Sequence, residues 1–317
     1  MHLKKGEALL ITSKPNIYYF SNIYIEGGVF LLITRNKKFV FTDARFIRGA
    51  AKMAKDCIPV AIATDELDWW HSALQKTRVK TLYFEPYDLS HATLKKFQKM
   101  SRGYAQLAPM RIDLRELRSH KTRRELAYVR KAARISEEIL QEIVMMVRNG
   151  KKVTEQDIVL EIHKRALGRG CVELAFPPIV AFGANSGIPH HQPSHTRRLK
   201  SGDLVLIDMG VKYHHYCSDM TRTFFTAPPT SRQAEIYERV LKAQVMALSK
   251  VKKGVSAHAV YESAYRALGA FHPYFTHGLG HGVGLEIHEH PNLKPKSSDV
   301  LKVGQVVTIE PGLYFSW

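Results

Sequence analysis

Cysteine is scarce in this chain: three residues in 317, Cys57, Cys171 and Cys217, with no CxxC pair among them. That excludes a disulfide-stapled scaffold and a thiolate knuckle, and it suits a reducing compartment, so a cytoplasmic location is expected. Long apolar runs are missing too. No stretch of about 18 apolar residues occurs, which argues against a transmembrane helix. The apolar part of residues 1–11 is too short for a signal peptide. Acidic residues are in deficit, 29 against 47 lysines and arginines, giving a formal charge of +18. Such a surplus raises the question of nucleic acid. The cations are dispersed, however, with local clusters only at 121–134, 197–200 and 250–253. No helix-turn-helix, zinc-finger spacing or aromatic-interleaved basic stripe goes with them, so neither nucleic acid nor membrane is expected as a partner. GxGxxG, the P-loop and the HExxH of helical zinc proteases are all absent.

What is present is a soluble composition, 45% apolar and 24% charged, in a chain long enough for one large or two ordinary domains. The acids it has are placed at strand ends. An apolar run, Leu204 to Ile207, delivers Asp208, with Gly210 allowing a turn beside it. Eleven residues on, Asp219 precedes a second strand-like run, Met220 to Phe225. Joined as a hairpin, the two runs bring the carboxylates face to face. Two anions in a partly buried site repel and need a cation between them, for which a hard or borderline divalent metal is the natural choice. On these residues alone, a capped turn at Asp208 and an Asp219–Arg222 pair on a solvated strand explain the segment equally well. Downstream, residues 275–291 set His277, His281, His288 and His290 among four glycines. Residues 306–310 end a further apolar strand in Glu310, followed by Pro311 and Gly312. Glycines at 278, 280, 282 and 284 argue against a helix there and for close backbone approach to a substrate or metal.

These three segments resemble the metal-binding motifs of the creatinase/methionine-aminopeptidase ("pita-bread") superfamily, in its Xaa-Pro dipeptidase and aminopeptidase P branch. The resemblance extends over nearly the whole chain, more weakly in the N-terminal third. It implies a dinuclear centre held by Asp, Asp, His, Glu and Glu, of which Asp208, Asp219, His281 and Glu310 match the first four. The fifth, a Glu following a Gly-Val-Arg-Ile-Glu-Asp-like segment, has no counterpart before Trp317. A C-terminally truncated sheet, with its last strand or strands missing, is therefore expected. The implied cofactors are two divalent metal ions, Mn²⁺ ahead of Co²⁺ or Zn²⁺, and the implied nucleophile is a hydroxide bridging them. Glu310 is implied as general acid/base and His288 as the group steadying the tetrahedral intermediate. His190, in the loop 184–193 and a better match than His191, is implied to hold the peptide carbonyl or carboxylate. His277 and His288 would line the substrate site, with Glu289 and His290 behind it or at its rim, and Arg222 would support the ligands.

The fold so implied is an α/β N-terminal domain, 1–118, and an α+β pita-bread domain, 119–317, whose curved antiparallel sheet carries helices on its outer face. The residues agree. Strand-like runs 8–12, 29–34, 38–42, 59–63 and 81–85 alternate with helical patterns at 43–55, 65–75 and 90–100, Asp43 being a candidate N-cap. Beyond 118, Ser119 or Thr122 can cap a helix from about Arg124, its basic residues forming a solvated face, which Gly150 ends. Thr154 to Asp157 caps the next helix. Helices are expected at 231–249 and 255–268, and a strand at 177–183. The function implied is a metal-dependent exopeptidase cleaving before proline in Xaa-Pro dipeptides or N-terminal Xaa-Pro peptides, with proline-containing peptides as partners and a homodimer as the assembly. The alternatives are a catalytically inactive, truncated or peptide-binding member of the fold and, among enzymes, a creatinase-like amidinohydrolase or another aminopeptidase.

Overall fold

Alternation along the first strand sets the layering of the N-terminal part. In β1 (Glu7–Ile11), Ala8 and Leu10 enter one core while Leu9 and Ile11 enter another, as a pleat of period two requires of a strand covered on both faces. The computed structural model describes residues 3–62, 68–149, 152–171 and 173–315. The expected helix start at Asp65 and helix stop at Gly150 lie outside them. The chain divides into two compact units, Met1–Leu114 and Arg115–Trp317.

In the first unit, α1 (Lys14–Ser21) follows β1, and β2 (Phe30–Thr34) and β3 (Lys38–Asp43) form the expected hairpin. Then come α2 (Ile47–Met53), β4 (Ile58–Ile62), α3 (Asp68–Thr77), β5 (Thr81–Phe84), α4 (His91–Ser101) and β6 (Gln106–Pro109). The six strands make one mixed sheet in the order β4-β3-β2-β1-β5-β6. Trp70, Leu74, Phe97 and Met100 from α3 and α4 fill one face, and Ile17 and Ala50 from α1 and α2 the other. Asp43 is not a helix cap. It ends β3 and closes a turn, accepting the Arg45 N–H on Oδ1 at 2.8 Å, and α2 starts only after Phe46. A short helix, α5 (Leu114–Ser119), begins at the boundary between the units.

The second unit opens on α6 (Arg123–Arg148), capped by Thr122 in a reciprocal box with Glu125 rather than by Ser119. Val129, Ala132, Ile135, Ile139, Ile143 and Val147 recur at helical spacing and are buried. Helix α7 (Glu155–Gly168) repeats the device with Thr154 and Asp157. Strands β7 (Ile179–Phe182), β8 (Leu204–Met209) and β11 (Met220–Phe225) form an antiparallel sheet, order β11-β8-β7, with the ribbon of β9 (Lys212–Tyr213) and β10 (Tyr216–Cys217) between β8 and β11 in sequence. Helices α8 (Ser231–Lys250) and α9 (Ala257–Leu268) precede the two-stranded β12 (Gly280–Gly282) and β13 (Glu289–Leu293).

Each half has its own core. One gathers α6, α7, β7 and β8, and the other gathers α8, α9, Leu279, Leu293 and Ile309. Truncating a fully buried core residue such as Ile139 to Ala costs about 2–5 kcal/mol. The antiparallel sheet is thus present as one three-stranded piece and two ribbons, tied by isolated bridges such as Leu174–Val211 and Gly282–Val307. The strand expected at 306–310 is an extended segment. It bonds to β12 and its neighbours through Val283 N–H to Val306 O (3.1 Å), Thr308 N–H to His281 O (2.9 Å) and Glu310 N–H to Leu279 O (2.9 Å).

Candidate metal centre

Strand β8 buries Val205, Ile207 and Met209 in the α6–α7 core, so Asp208 must project from the opposite face. The register of β11 sets Thr221 directly across from it, and the Thr221 hydroxyl donates to Asp208 Oδ1 at 2.9 Å. Asp219 lies two residues before Thr221 and so on the same side. Its approach is fixed by the buried Ser218, whose Oγ accepts the Val211 N–H at 2.9 Å and lies 2.8 Å from Ser136 Oγ. From the other half, β12 presents His281 and the 306–310 segment presents Glu310. Gly280 allows this approach, because a Cβ there would lie 2.1 Å from Thr308 O.

The geometry of His281 defines what the site can hold. Its Nδ1 is 3.0 Å from Gly282 O, and a carbonyl only accepts, so Nδ1 carries a proton. The remaining nitrogen, Nε2, faces Glu310 Oε1 at 3.1 Å and Asp219 Oδ2 at 3.4 Å. A neutral imidazole would aim a lone pair at two anions there, so a proton or a metal ion must lie between them. Among the described residues, Asp219, His281 and Glu310 are the group whose ligand atoms come within 4.8 Å of one another. One imidazole nitrogen and two carboxylate oxygens, with Asp208 in electrostatic reach of all three, fit a divalent cation.

The electrostatics carry the same strain. Burial, then the Asp208 and Glu310 charges, push the Asp219 carboxyl up to about 7. Burial outweighs the Thr221 hydrogen bond and raises Asp208 to about 6, the Glu310 charge adding to it. For Glu310, burial raises the carboxyl, but the hydrogen bonds from His281 and Thr308 more than reverse it, leaving it low. Burial lowers His281, yet the Glu310 hydrogen bond and the Gly282 carbonyl bring it above its ordinary value. Anions this desolvated and this close await a cation.

Around this group lie the other expected residues. His288 is exposed, its ring 4.3 Å from that of His281 and edge-on to it. His277 donates from Nδ1 to Gly278 O at 2.7 Å, and its buried Nε2 has no hydrogen-bond partner among the described residues. The ring lies against Tyr314 and Phe275. His190 is exposed and acts electrostatically on Asp208 and His288. Its neighbour His191 turns away, with Nε2 at 2.7 Å from Glu155. Arg222 departs from expectation: it is exposed and donates to Thr221 O, touching neither carboxylate, because alternation puts it on the face opposite Thr221. Cys217 is fully buried, its thiol 3.8 Å from Leu285 O.

Several contributors had no signal in the sequence. Thr308 donates to Glu310 Oε1 at 2.7 Å and accepts the His281 N–H at 3.0 Å. Lys121 and Arg118 are two more. Their partner Glu289, expected behind the site or at its rim, has a wholly buried side chain, which fits the first, 2.9 Å from Lys121 and 3.5 Å from Arg118. Lys121 is accordingly not part of a solvated face. The Lys121–Glu289 pair joins residues 168 apart, which local patterns do not encode.

Comparison with known proteins matches residues 127–317 to metallopeptidase family M24 and residues 1–120 to the creatinase/prolidase N-terminal domain. A Xaa-Pro dipeptidase of Pyrococcus horikoshii is 33% identical over 97% of this chain and 86% of its own length. Among solved structures, an X-Pro aminopeptidase from Thermotoga maritima superposes with a TM-score of 0.90 at 27% identity, covering 98% of this chain and 89% of that one. A Xaa-Pro dipeptidase from Bacillus anthracis does so with a TM-score of 0.90 at 29% identity, covering 98% and 86%. The two-part architecture, an α/β unit followed by an α+β pita-bread unit, is the one these structures share. Family identity at this coverage brings divalent metal with it, and it agrees with the donor set of Asp219, His281 and Glu310. The chain belongs to metallopeptidase family M24.

Proposed function

We propose that this chain is a metal-dependent exopeptidase cleaving the bond before proline in Xaa-Pro dipeptides or N-terminal Xaa-Pro peptides. The observation that carries the reading is the convergence of Asp219, His281 and Glu310, with Asp208 close by, in a pocket that needs a cation. The printed activities of the relatives support the choice of substrate. Catalysis is assigned to residues 119–317 and an accessory role to 1–118. Asp208, Asp219, His281 and Glu310 are the proposed ligands, and their carboxylate-rich set favours Mn²⁺ over Zn²⁺.

Divalent ions held there supply Lewis-acid polarisation of the scissile carbonyl and activation of water. The protein's own groups do the rest. Glu310, kept ionised by His281 and Thr308, takes the proton from the attacking water and returns it to the proline nitrogen as the C–N bond breaks. His288, exposed beside His281, donates to the oxygen on which charge develops. His190 holds the substrate carboxylate or carbonyl, and His277, packed against Phe275 and Tyr314, lines the substrate site.

The test is hydrolysis of a Xaa-Pro dipeptide and a longer Xaa-Pro peptide, with Mn²⁺ and again with chelator. Cleavage that chelator stops is expected, and the preferred length names the branch. Failure of the folded, Mn²⁺-loaded chain to cleave either peptide refutes the proposal.

A further inference from the structure

Glu155 stands at the first position of α7, where a carboxylate ordinarily faces water, yet its side chain is 0% exposed. Both oxygens are filled. Oε1 accepts from the Phe182 N–H and from Asn185 Nδ2, each at 2.8 Å. Oε2 accepts the Ser194 N–H at 2.8 Å and lies 2.7 Å from His191 Nε2, which donates to it. A buried carboxylate is costly unless its lone pairs are so occupied, and the N-terminus of α7 favours the charge further. The four donors bracket one stretch, residues 182–194. They come from the end of β7, the 3-10 turn Gly183–Gly187 and the returning chain. Inside that bracket, the His191 N–H closes a turn onto Ile188 O at 3.2 Å, and the next residue back, His190, is left exposed.

A stretch with two glycines and two prolines in thirteen residues has little to fix a side chain at its tip. Here one buried carboxylate fixes it from beneath, and His191 is the link nearest the tip. We infer that Glu155, through His191 and the loop amides, positions His190 toward Asp208 and His288. Glu155 is a positioning residue and touches no substrate. The inference rests on the proposed role of His190 and adds the device that aims it.

Glu155→Asp keeps the charge but withdraws it by one methylene from four donors at 2.7–2.8 Å. It is expected to lower kcat/KM on a Xaa-Pro dipeptide roughly tenfold to hundredfold, the scale of a small misplacement, with bound Mn²⁺ unchanged. In a His190→Ala background the same substitution should cost nothing more, because what Glu155 positions is already gone. A full additional loss in that background overturns the inference, since a general brace would act with or without His190. His191→Ala, which removes one of the four donors, runs the same cycle should Glu155→Asp not fold. A second readout needs no turnover: histidine-selective NMR of the Mn²⁺-free chain. Glu155→Asp should abolish the slowly exchanging His191 Nε2–H signal and move the His190 ring resonances. Unmoved His190 resonances overturn the inference. If the wild type cleaves no Xaa-Pro peptide, the proposed function fails while the NMR comparison still decides whether Glu155 holds His190.

Discussion

Two threonine hydroxyls orient two of the three proposed ligand carboxylates, each with one hydrogen bond. Thr221 holds Asp208 at 2.9 Å, and Thr308 holds Glu310 at 2.7 Å while receiving the His281 N–H. Thr308→Val keeps the shape and removes both bonds, so Mn²⁺ affinity or activity should fall roughly 10–100-fold. Thr308→Ser should recover most of it. Calorimetric titration with Mn²⁺ checks the pair, and a valine variant that binds as tightly as wild type sinks the role given to the hydroxyl. Cys217, two residues from Asp219, makes a contrasting case. Burial, above all, pushes its thiol up to about 12, so at pH 8 almost none is thiolate, the form that reacts and binds metal. Iodoacetamide should leave Cys217 unmodified in the native chain and modify it in urea, as read by mass spectrometry. Labelling of native Cys217 at the rate of a free thiol contradicts this.

Between residues and fold lie the short pieces that brace the histidine-bearing segment. Lys121 and Arg118, 1% and 2% exposed, meet Glu289, 0% exposed, directly behind the turn that presents His288. Gly284 belongs to the same arrangement, since a Cβ there would lie 2.4 Å from Glu289 Oε2. Lys121→Met leaves a buried carboxylate with only Arg118 at 3.5 Å and the Glu286 N–H at 3.2 Å, both on Oε1, and should cost about 3–5 kcal/mol, whereas Lys121→Met with Glu289→Leu should cost less than the sum of the single changes. Urea denaturation of the three variants measures the coupling, and strict additivity refutes the pairing. These braces show why the sequence was legible only in part. The Thr122–Glu125 and Thr154–Asp157 capping boxes, the alternation in β8 and the helical stripe of α6 are local patterns and could be read directly. Strand ends mark Asp208, Asp219 and Glu310 as candidates, but only the family resemblance selects them as ligands and picks His281 from the neighbouring histidines. Glu155 could not. Within Thr154–Asp157 the capping pattern uses positions one and four, so Glu155 reads as an ordinary solvated helix residue, and only the fold brings residues 182–194 over it. Arg222 was misplaced for a related reason: proximity in sequence to Asp219 says nothing about which face of β11 it occupies. Strand β6 and helix α5 went unread because four to six residues carry too little periodicity.

At the scale of the C-terminal unit, the centre is a joint between two separately packed halves. Asp208 and Asp219 hang from the half with the α6–α7 core, and His281 and Glu310 from the half with the α8–α9 core. Direct ties across the joint include the Cys217 N–H to Gly284 O bond at 2.7 Å, but without a cation the joint also carries the mutual repulsion of buried carboxylates. A divalent ion held by Asp219, His281 and Glu310 would do two things at once: it would tie residues of the two halves together and offset the repulsion. By mass action, Mn²⁺ at a hundred times its Kd should stabilise the fold by about 2.7 kcal/mol, which for a unit of this size is a rise in Tm of roughly 5–10 °C. Asp219→Asn separates the two effects. It removes a proposed ligand, so the Mn²⁺-dependent rise should largely vanish. It also removes one of the repelling charges, so in chelator the variant should melt above the wild type. Scanning calorimetry of both proteins, each with Mn²⁺ and with chelator, reads all four values. A variant that melts below wild type in chelator would mean that Asp219 is held by something other than the cation, and the centre would then be a structural ion pair between His281 and its carboxylates rather than a place for metal.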